Sequence, residues 1–206
     1  FNNQVAEVFD DMVNRSVPHY QTIQELITTL AIHYYQEETV LYDLGCSLGT
    51  TLKRIEQTIP KTPPLKAIGI DNSTAMLKKA KANLKHSNHP IELQQHDLNT
   101  PPLLEPASVI ILNLCLQFIQ PQNRKALIDA CVKALKPKGV LIIIEKITSP
   151  YHQPLYTKTY HQLKQKNGYS KIEIENKDKS LKGVLQPWTL DQNLTCLRES
   201  GLTHTE

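Results

Sequence analysis

Phe1 to Met12 carries apolar residues at Val5, Val8, Phe9 and Met12, a helical spacing that Ser16-Val17-Pro18 interrupts. A second amphipathic run from Tyr20 to Tyr35, with Ile23, Leu26, Ile27, Leu30, Ala31 and Tyr34 on one face, predicts a helix that packs on a sheet. Strand and helix patterns then alternate. Strands are expected at Val40–Leu44, Lys66–Ile70, Ile91–Gln95 and Val109–Leu114, and a fifth in "VLIIIEK" after a turn at "KPKG". Helices are expected between them at Thr50–Thr58, Thr74–His86 and Asn123–Leu135. The first, fourth and fifth strands are continuous apolar runs, as strands are when helices cover both faces of a parallel sheet. The fold class that follows is α/β, a doubly wound, mainly parallel sheet with helices on both faces. After Pro150 the alternation stops. Tyr151–Ser170 reads as a helix ended at Gly168, and Leu190–Arg198 as another stopped by Gly201.

The length of 206 residues with 40% hydrophobic composition supports one sizeable core, hence a single domain. The first residues, about 1–20, form an N-terminal helical lid on it, and about 151–168 a helical insertion that could close over a ligand. No run approaches the roughly 18 apolar residues of a membrane span, and the polar N-terminus is unlike a signal peptide, so a cytoplasmic protein with no membrane partner is expected. Cys46, Cys115, Cys131 and Cys196 lack C-x-x-C pairing and read as free thiols. His86 and His89 alone share a helix-like spacing, directly before Pro90, and no metal is expected. The net charge of +3 falls short of a nucleic-acid binder's field, so no direct nucleic-acid partner is expected. Lys78, Lys79, Lys81 and Lys85 on one helix, and Lys177, Lys179 and Lys182 near a loop, read as solvated surface.

The chemistry concentrates at the strand ends. "YDLGCSLGT" joins the first strand to a helix, where Gly45 and Gly49 let the backbone turn sharply and the helix offers free N–H groups to an anion. Ser47 stands where a dinucleotide fingerprint has its second glycine, which argues against a pyrophosphate ligand. Asp71 closes the second strand, where a carboxylate can accept from both hydroxyls of a ribose. Asp97 ends the third, placed for the exocyclic amine of an adenine with Leu98 beside the ring. Asp43 enters the loop, close enough to pair with an ammonium group. Ribose, adenine and amino acid are the parts of S-adenosylmethionine. The plainer alternative is that each Asp caps the helix after its strand.

The loop and acids resemble the Rossmann-like class I S-adenosylmethionine-dependent methyltransferases. The stretches "VAEVFDDMVNRSVPHY", "YDLGCSLGT", "IDNSTAM", "LNLCLQFIQP", "EKITS", "KNGYS" and "ESGLTHTE" resemble, more narrowly, the carboxy-S-adenosylmethionine synthase family, and the likeness runs from Phe1 to Glu206. That resemblance implies a cytoplasmic homodimer that moves the carboxyl group of prephenate onto the methyl carbon of S-adenosylmethionine. The products would be carboxy-S-adenosylmethionine and phenylpyruvate, the former used in tRNA wobble-uridine modification. It implies cofactor contacts at Tyr20, at Gly45, Cys46 and Ser47, at Asp71 and Asn72, at Asp97 and Leu98, and at Asn113, whose amide offers both donor and acceptor.

Two departures stand out. Where the family has an arginine for the modified cofactor's carboxylate, gapless alignment places Cys196, and a thiol cannot make that charge-assisted contact. Arg15, in the lid, could substitute if it points inward. The family's chain also continues with two further strands of a seven-stranded sheet, and this sequence begins at Phe1, so a longer polypeptide is expected. No strong nucleophile or Ser-His-Asp set is present, so no catalytic residue is assigned and rate is expected from positioning and desolvation. The rival readings are methyl transfer to a small molecule or RNA, and a catalytically silent cofactor-binding protein.

Overall fold

Five parallel strands form one sheet in the order β3-β2-β1-β4-β5. They are β1 (Val40–Leu44), β2 (Ala67–Asp71), β3 (Ile91–Gln95), β4 (Ala107–Asn113) and β5 (Leu135–Ile144). The computed structural model describes residues 3–202, 204 and 205. Phe1, where the expected arm begins, and Thr203 and Glu206 of the last matched stretch lie outside the described residues. The chain runs outward from β1 through β2 to β3 and returns to start β4 on the other side of β1, so strand order reverses between β1 and β4.

Side-chain alternation along the strands builds two cores, one per face. Leu41, Ala67, Val109 and Ile111 bury against Ile27 and Ala31 of α2 (Tyr20–Tyr34) and Leu52 and Ile55 of α3 (Thr50–Thr58). Tyr42, Leu44, Ile68, Ile110 and Leu112 bury against Leu127, Ile128 and Cys131 of α5 (Pro121–Ala134) and Cys196 of α8 (Leu190–Glu199). Both faces are covered by helices, as the unbroken apolar runs required.

Several boundaries differ from the sequence-based expectation. The helix α1 (Asn3–Ser16) runs past Met12 because Val13 is buried; Pro18, which restricts the residue before it, follows the stop. The helix α4 (Thr74–Asn83) ends before His86, where Ser87 N donates to Leu84 O and turns the chain toward β3. His86 and His89 therefore share no helix; the buried His89 accepts from Leu65 N through Nδ1 at 3.0 Å. "KPKG" lies inside β5 as a bulge: Ala107 pairs with Leu135 and Val109 with Val140, and Lys138 takes φ 65°.

The largest omission is α7 (Lys171–Leu181), which follows α6 (Gln153–Lys166). It opens with a capping box, Ser170 accepting from Glu173 N while Glu173 accepts from Ser170 N. Lys177 and Lys179 thus sit on a helix rather than a loop, with Lys182 at its end. The insertion is two helices long, and α6 lies against α1. No helix among the described residues is long and apolar enough to cross a membrane.

Candidate active site

The loop after β1 is folded over the end of β2: Gly45 N and Cys46 N both donate to Ile70 O, at 2.7 and 3.0 Å. Gly45 has φ 83°, and a Cβ there would stand 2.6 Å from Cys115 Sγ, so conformation and space both demand glycine. Ser47 takes φ 51° without being glycine, a conformation that costs roughly 1 kcal/mol. Its N–H donates to Asp71 Oδ2 at 3.0 Å, which offsets that cost. Gly49, with φ 70°, has no side chain with which to cap α3, leaving the first N–H groups of that helix directed at the loop.

The three acids behave differently, and none caps a helix. Asp43 is 1% exposed and its Oδ2 has no partner among the described residues. Burial, reinforced by the charge of Asp71, pushes its carboxyl up to about 7. Asp71 accepts from Ser47 N and Ser73 N, one on each oxygen, while Ser73 itself caps α4. Each Asp71 oxygen keeps a second lone pair for a ligand hydroxyl. Asp97 is exposed and accepts from Asn99 N and Nδ2, contacts that hold its carboxyl below the usual range; the next element is a strand. Asn72, Thr74, Lys78 and Asp97 line one open cleft at the ends of β2 and β3, and Leu98 is buried beside Asp97.

On the other side of the switch point, Asn113 ends β4 with its Oδ1 buried and unpartnered among the described residues. Tyr20 opens α2, buried, its hydroxyl accepting from Gln24 Nε2 at 3.0 Å. Burial raises it to about 12, and the charges of Asp10 and Asp43 add to that rise. Gln24, 1% exposed, leaves Oε1 unpartnered among the described residues, a group the sequence reading missed. Asp43, Gln24 and Asn113 therefore have buried polar atoms with hydrogen-bonding capacity left over, as do His89, Gln117 and Ser200, and a ligand at the switch point can take up that of the first three. An amino acid with an ammonium and a carboxylate, a ribose and an adenine fit this set together with the glycine turn. Burial pushes the thiols of Cys46 and Cys115 well up, so both stay neutral and neither is an activated nucleophile.

Arg15, expected as a substitute for the family's arginine only if it points inward, is committed to other partners. The Arg15 guanidinium bonds Asn167 O at 3.0 Å and Asp11 Oδ2 at 3.1 Å and lies 4.1 Å from the Tyr169 ring centroid. It fastens the lid to the turn between α6 and α7. Cys196 is a core residue; after burial, the charges acting on its thiol are those of Lys125, Asp129 and Glu199, on α5 and α8.

Glu145, directly after β5, is a fourth strand-end acid that sequence reasoning missed, although the rule that selected Asp43, Asp71 and Asp97 applies to it. It accepts from Cys115 N, Leu116 N and Gln117 N at 2.8, 2.6 and 3.0 Å. Burial still pushes its carboxyl up to about 7.

The fold and the reversal between β1 and β4 define a Rossmann-like domain, and its similarities identify it as an S-adenosylmethionine-using enzyme of the transferase class. A family profile described as "Methyltransferase domain" matches residues 41–139. Among solved structures, an O-methyltransferase family protein from Burkholderia thailandensis superposes with a TM-score of 0.66 at 16% identity, covering 97% of this chain and 55% of that one. S-adenosylmethionine-bound CalS10, an amino pentose methyltransferase from Micromonospora echinaspora, superposes at 0.55 with 19% identity, covering 70% of this chain and 58% of that one. Both show the fold.

The family itself is narrower. Carboxy-S-adenosyl-L-methionine synthase of Methylococcus capsulatus is 37% identical over 210 residues, covering all of this chain and 86% of that protein. The protein of the same name from Idiomarina loihiensis is 36% identical with the same coverage, and that from Yersinia pestis is 35% identical over 78% of its length. The chain belongs to the carboxy-S-adenosyl-L-methionine synthase family.

Proposed function

We propose that this protein converts S-adenosylmethionine and prephenate to carboxy-S-adenosylmethionine and phenylpyruvate, with water as the third product. The observation that carries the reading is membership of the synthase family over the whole chain, joined to a switch point whose buried polar groups await a ligand. In this reading Asp71 accepts from the ribose hydroxyls with Asn72 beside it, and Asp97 meets the exocyclic amine of the adenine, with Leu98 against the ring. The backbone of Gly45, Cys46 and Ser47 lies along the amino-acid end, where Asp43 receives the ammonium. Asn113 fixes the cofactor from β4, and Tyr20 from the hinge between lid and core.

When bound, S-adenosylmethionine supplies a sulfonium that makes its methyl protons acidic. The chain's contribution is to hold the methyl carbon beside the departing carboxyl and to keep water away from it. The lid fastened by Arg15 to the α6–α7 turn suits that role, within a single domain comprising lid, core and insertion. We place the protein in the cytoplasm, feeding tRNA wobble-uridine modification through its product rather than by direct contact with RNA. It works there as a homodimer. The exposed Tyr151, Leu155, Tyr156 and Ile172 on and around α6 and α7 support a second copy docking there, and light scattering measures that state.

The test is mass spectrometry of the cofactor after incubating the protein with S-adenosylmethionine, with and without prephenate. Gain of one carboxyl group only when prephenate is present is the expected result. Methyl transfer, the second reading, is favoured by the cysteine at position 196 and by the commitment of Arg15 to Asn167 and Asp11. In that case the cofactor stays uncarboxylated and S-adenosylhomocysteine accumulates once an acceptor is supplied.

A further inference from the structure

Beyond β5, two ammonium groups share one aromatic ring. Lys146 follows the strand-end Glu145, and its Nζ lies 4.8 Å from the centroid of Tyr160; Lys164, on α6, places its Nζ 4.5 Å from the same centroid. Lys164 is 4% exposed, and lysine is rarely buried so far without a full partner. Its carboxylate, Asp178 on α7, is 3.8 Å away through Oδ1 and gives its shorter contact, 2.7 Å through Oδ2, to His161 Nε2. One exposed carboxylate thus serves two lysines and a histidine, and Lys177 adds further positive charge nearby. Burial lowers both Lys146 and Lys164, and among the described residues the one charge that opposes the shift of either is that of Asp178.

The cluster's place in the sheet gives this excess charge a direction. In the synthase reading Asp71 and Asp97 commit β2 and β3 to the ribose and adenine, which sends the reactive end of the cofactor from the switch point toward β4 and β5. Asn113 pairs with Ile144 in register, and Lys146 leaves the same edge two residues later. Lys146 stands exposed at that edge, with Lys164 buried behind it across the Tyr160 ring.

We propose that Lys146 and Lys164, with the Tyr160 ring between them, receive a carboxylate of the acid co-substrate or of the carboxylated product. The inference rests on the synthase reading above and names the cations that serve in place of the absent arginine. Two ammonium groups sharing one aromatic face, one of them drawn out of water, bind an anion more strongly than isolated exposed lysines do.

The test measures binding of three probes, S-adenosylmethionine, carboxy-S-adenosylmethionine and prephenate, to the full-length protein by calorimetry. Lys146→Gln is the main variant because its side chain lies on the exposed loop after β5; Lys164→Gln is the second, checked for folding by circular dichroism. Each is expected to weaken at least one acidic probe by about ten-fold or more, with S-adenosylmethionine within about two-fold of the parent and Lys146→Arg restoring the loss. Loss on the prephenate arm assigns the carboxylate to the donor, and loss on the product arm assigns it to the carboxylated cofactor. Unchanged affinity for both acids in Lys146→Gln overturns the receptor, as does a parent protein that binds neither acid. Lys146-dependent binding of an acid by a protein that never carboxylates the cofactor upholds the receptor and sinks the synthase reading. Carboxylation in Lys146→Gln with an unaltered KM for prephenate and an unaltered affinity for carboxy-S-adenosylmethionine does the reverse.

Discussion

At the scale of residues, Asp43 carries the clearest consequence. Its carboxyl is raised by burial to about 7, against an ordinary value near 4 in an unfolded chain. Between those values the folded protein holds a proton that the unfolded chain has released, so stability falls as pH rises through that window. Asp43→Asn removes the effect, and its melting temperature relative to the parent is expected to be at least about 4 °C more favourable at pH 8 than at pH 5 in thermal scans. Cofactor binding is predicted to run the opposite way. An ammonium partner favours the carboxylate, so S-adenosylmethionine should bind more tightly as pH rises from 5.5 toward 7, by up to about ten-fold per unit, and the slope should vanish in Asp43→Asn. Calorimetry at three pH values decides it, and an equal slope in both proteins removes Asp43 from the ammonium site. Gly45→Ala introduces a Cβ 2.6 Å from Cys115 Sγ at φ 83°, and urea unfolding is expected to show a loss of about 2–3 kcal/mol.

At the scale of elements, what the sequence made legible follows from what each element rests on. β1, α3 and β3 have the expected limits because apolar period and turn residues coincide there. α7 escaped because its helix depends on a capping box and one buried residue, Ile174, with no sustained apolar face; Ser170-x-x-Glu173 was its only signal. β5 was shortened because "KPKG" reads as a turn, whereas parallel pairing with β4 on both sides absorbs it as a bulge. The strand-end acids were legible because topology brings strand ends to one edge, and Glu145 was open to the same logic. The lysine pair was not, since Lys146 and Lys164 lie far apart in the chain and meet only over the ring of Tyr160. Arg15 was legible as a lid residue, but its direction was not. Because its guanidinium joins α1 to Asn167 and Tyr169, Arg15→Ala is expected to speed amide exchange in α1 and in the α6–α7 turn together, with the strands unaffected. Faster exchange in α1 alone would mean that the two elements move independently.

At the scale of the whole molecule, one sheet divides the chemistry by strand. β2 and β3 present the polar groups suited to a nucleoside, and the β1–β4 reversal presents buried groups with spare capacity. The edge beyond β5 presents positive charge under the two insertion helices. In the proposed reaction a cofactor with a nucleoside at one end and a reactive methyl at the other would span such an edge, and an acidic co-substrate would complete it. The central claim is that a carboxyl group passes from the acid to the cofactor within this site. Its most direct test supplies prephenate labelled in the ring carboxylate and follows the label by mass spectrometry and NMR. The account predicts the label in a carboxyl group bonded to the former methyl carbon of the cofactor, with unlabelled phenylpyruvate formed in equal amount; label found only in released carbon dioxide, with the cofactor unchanged, would contradict it.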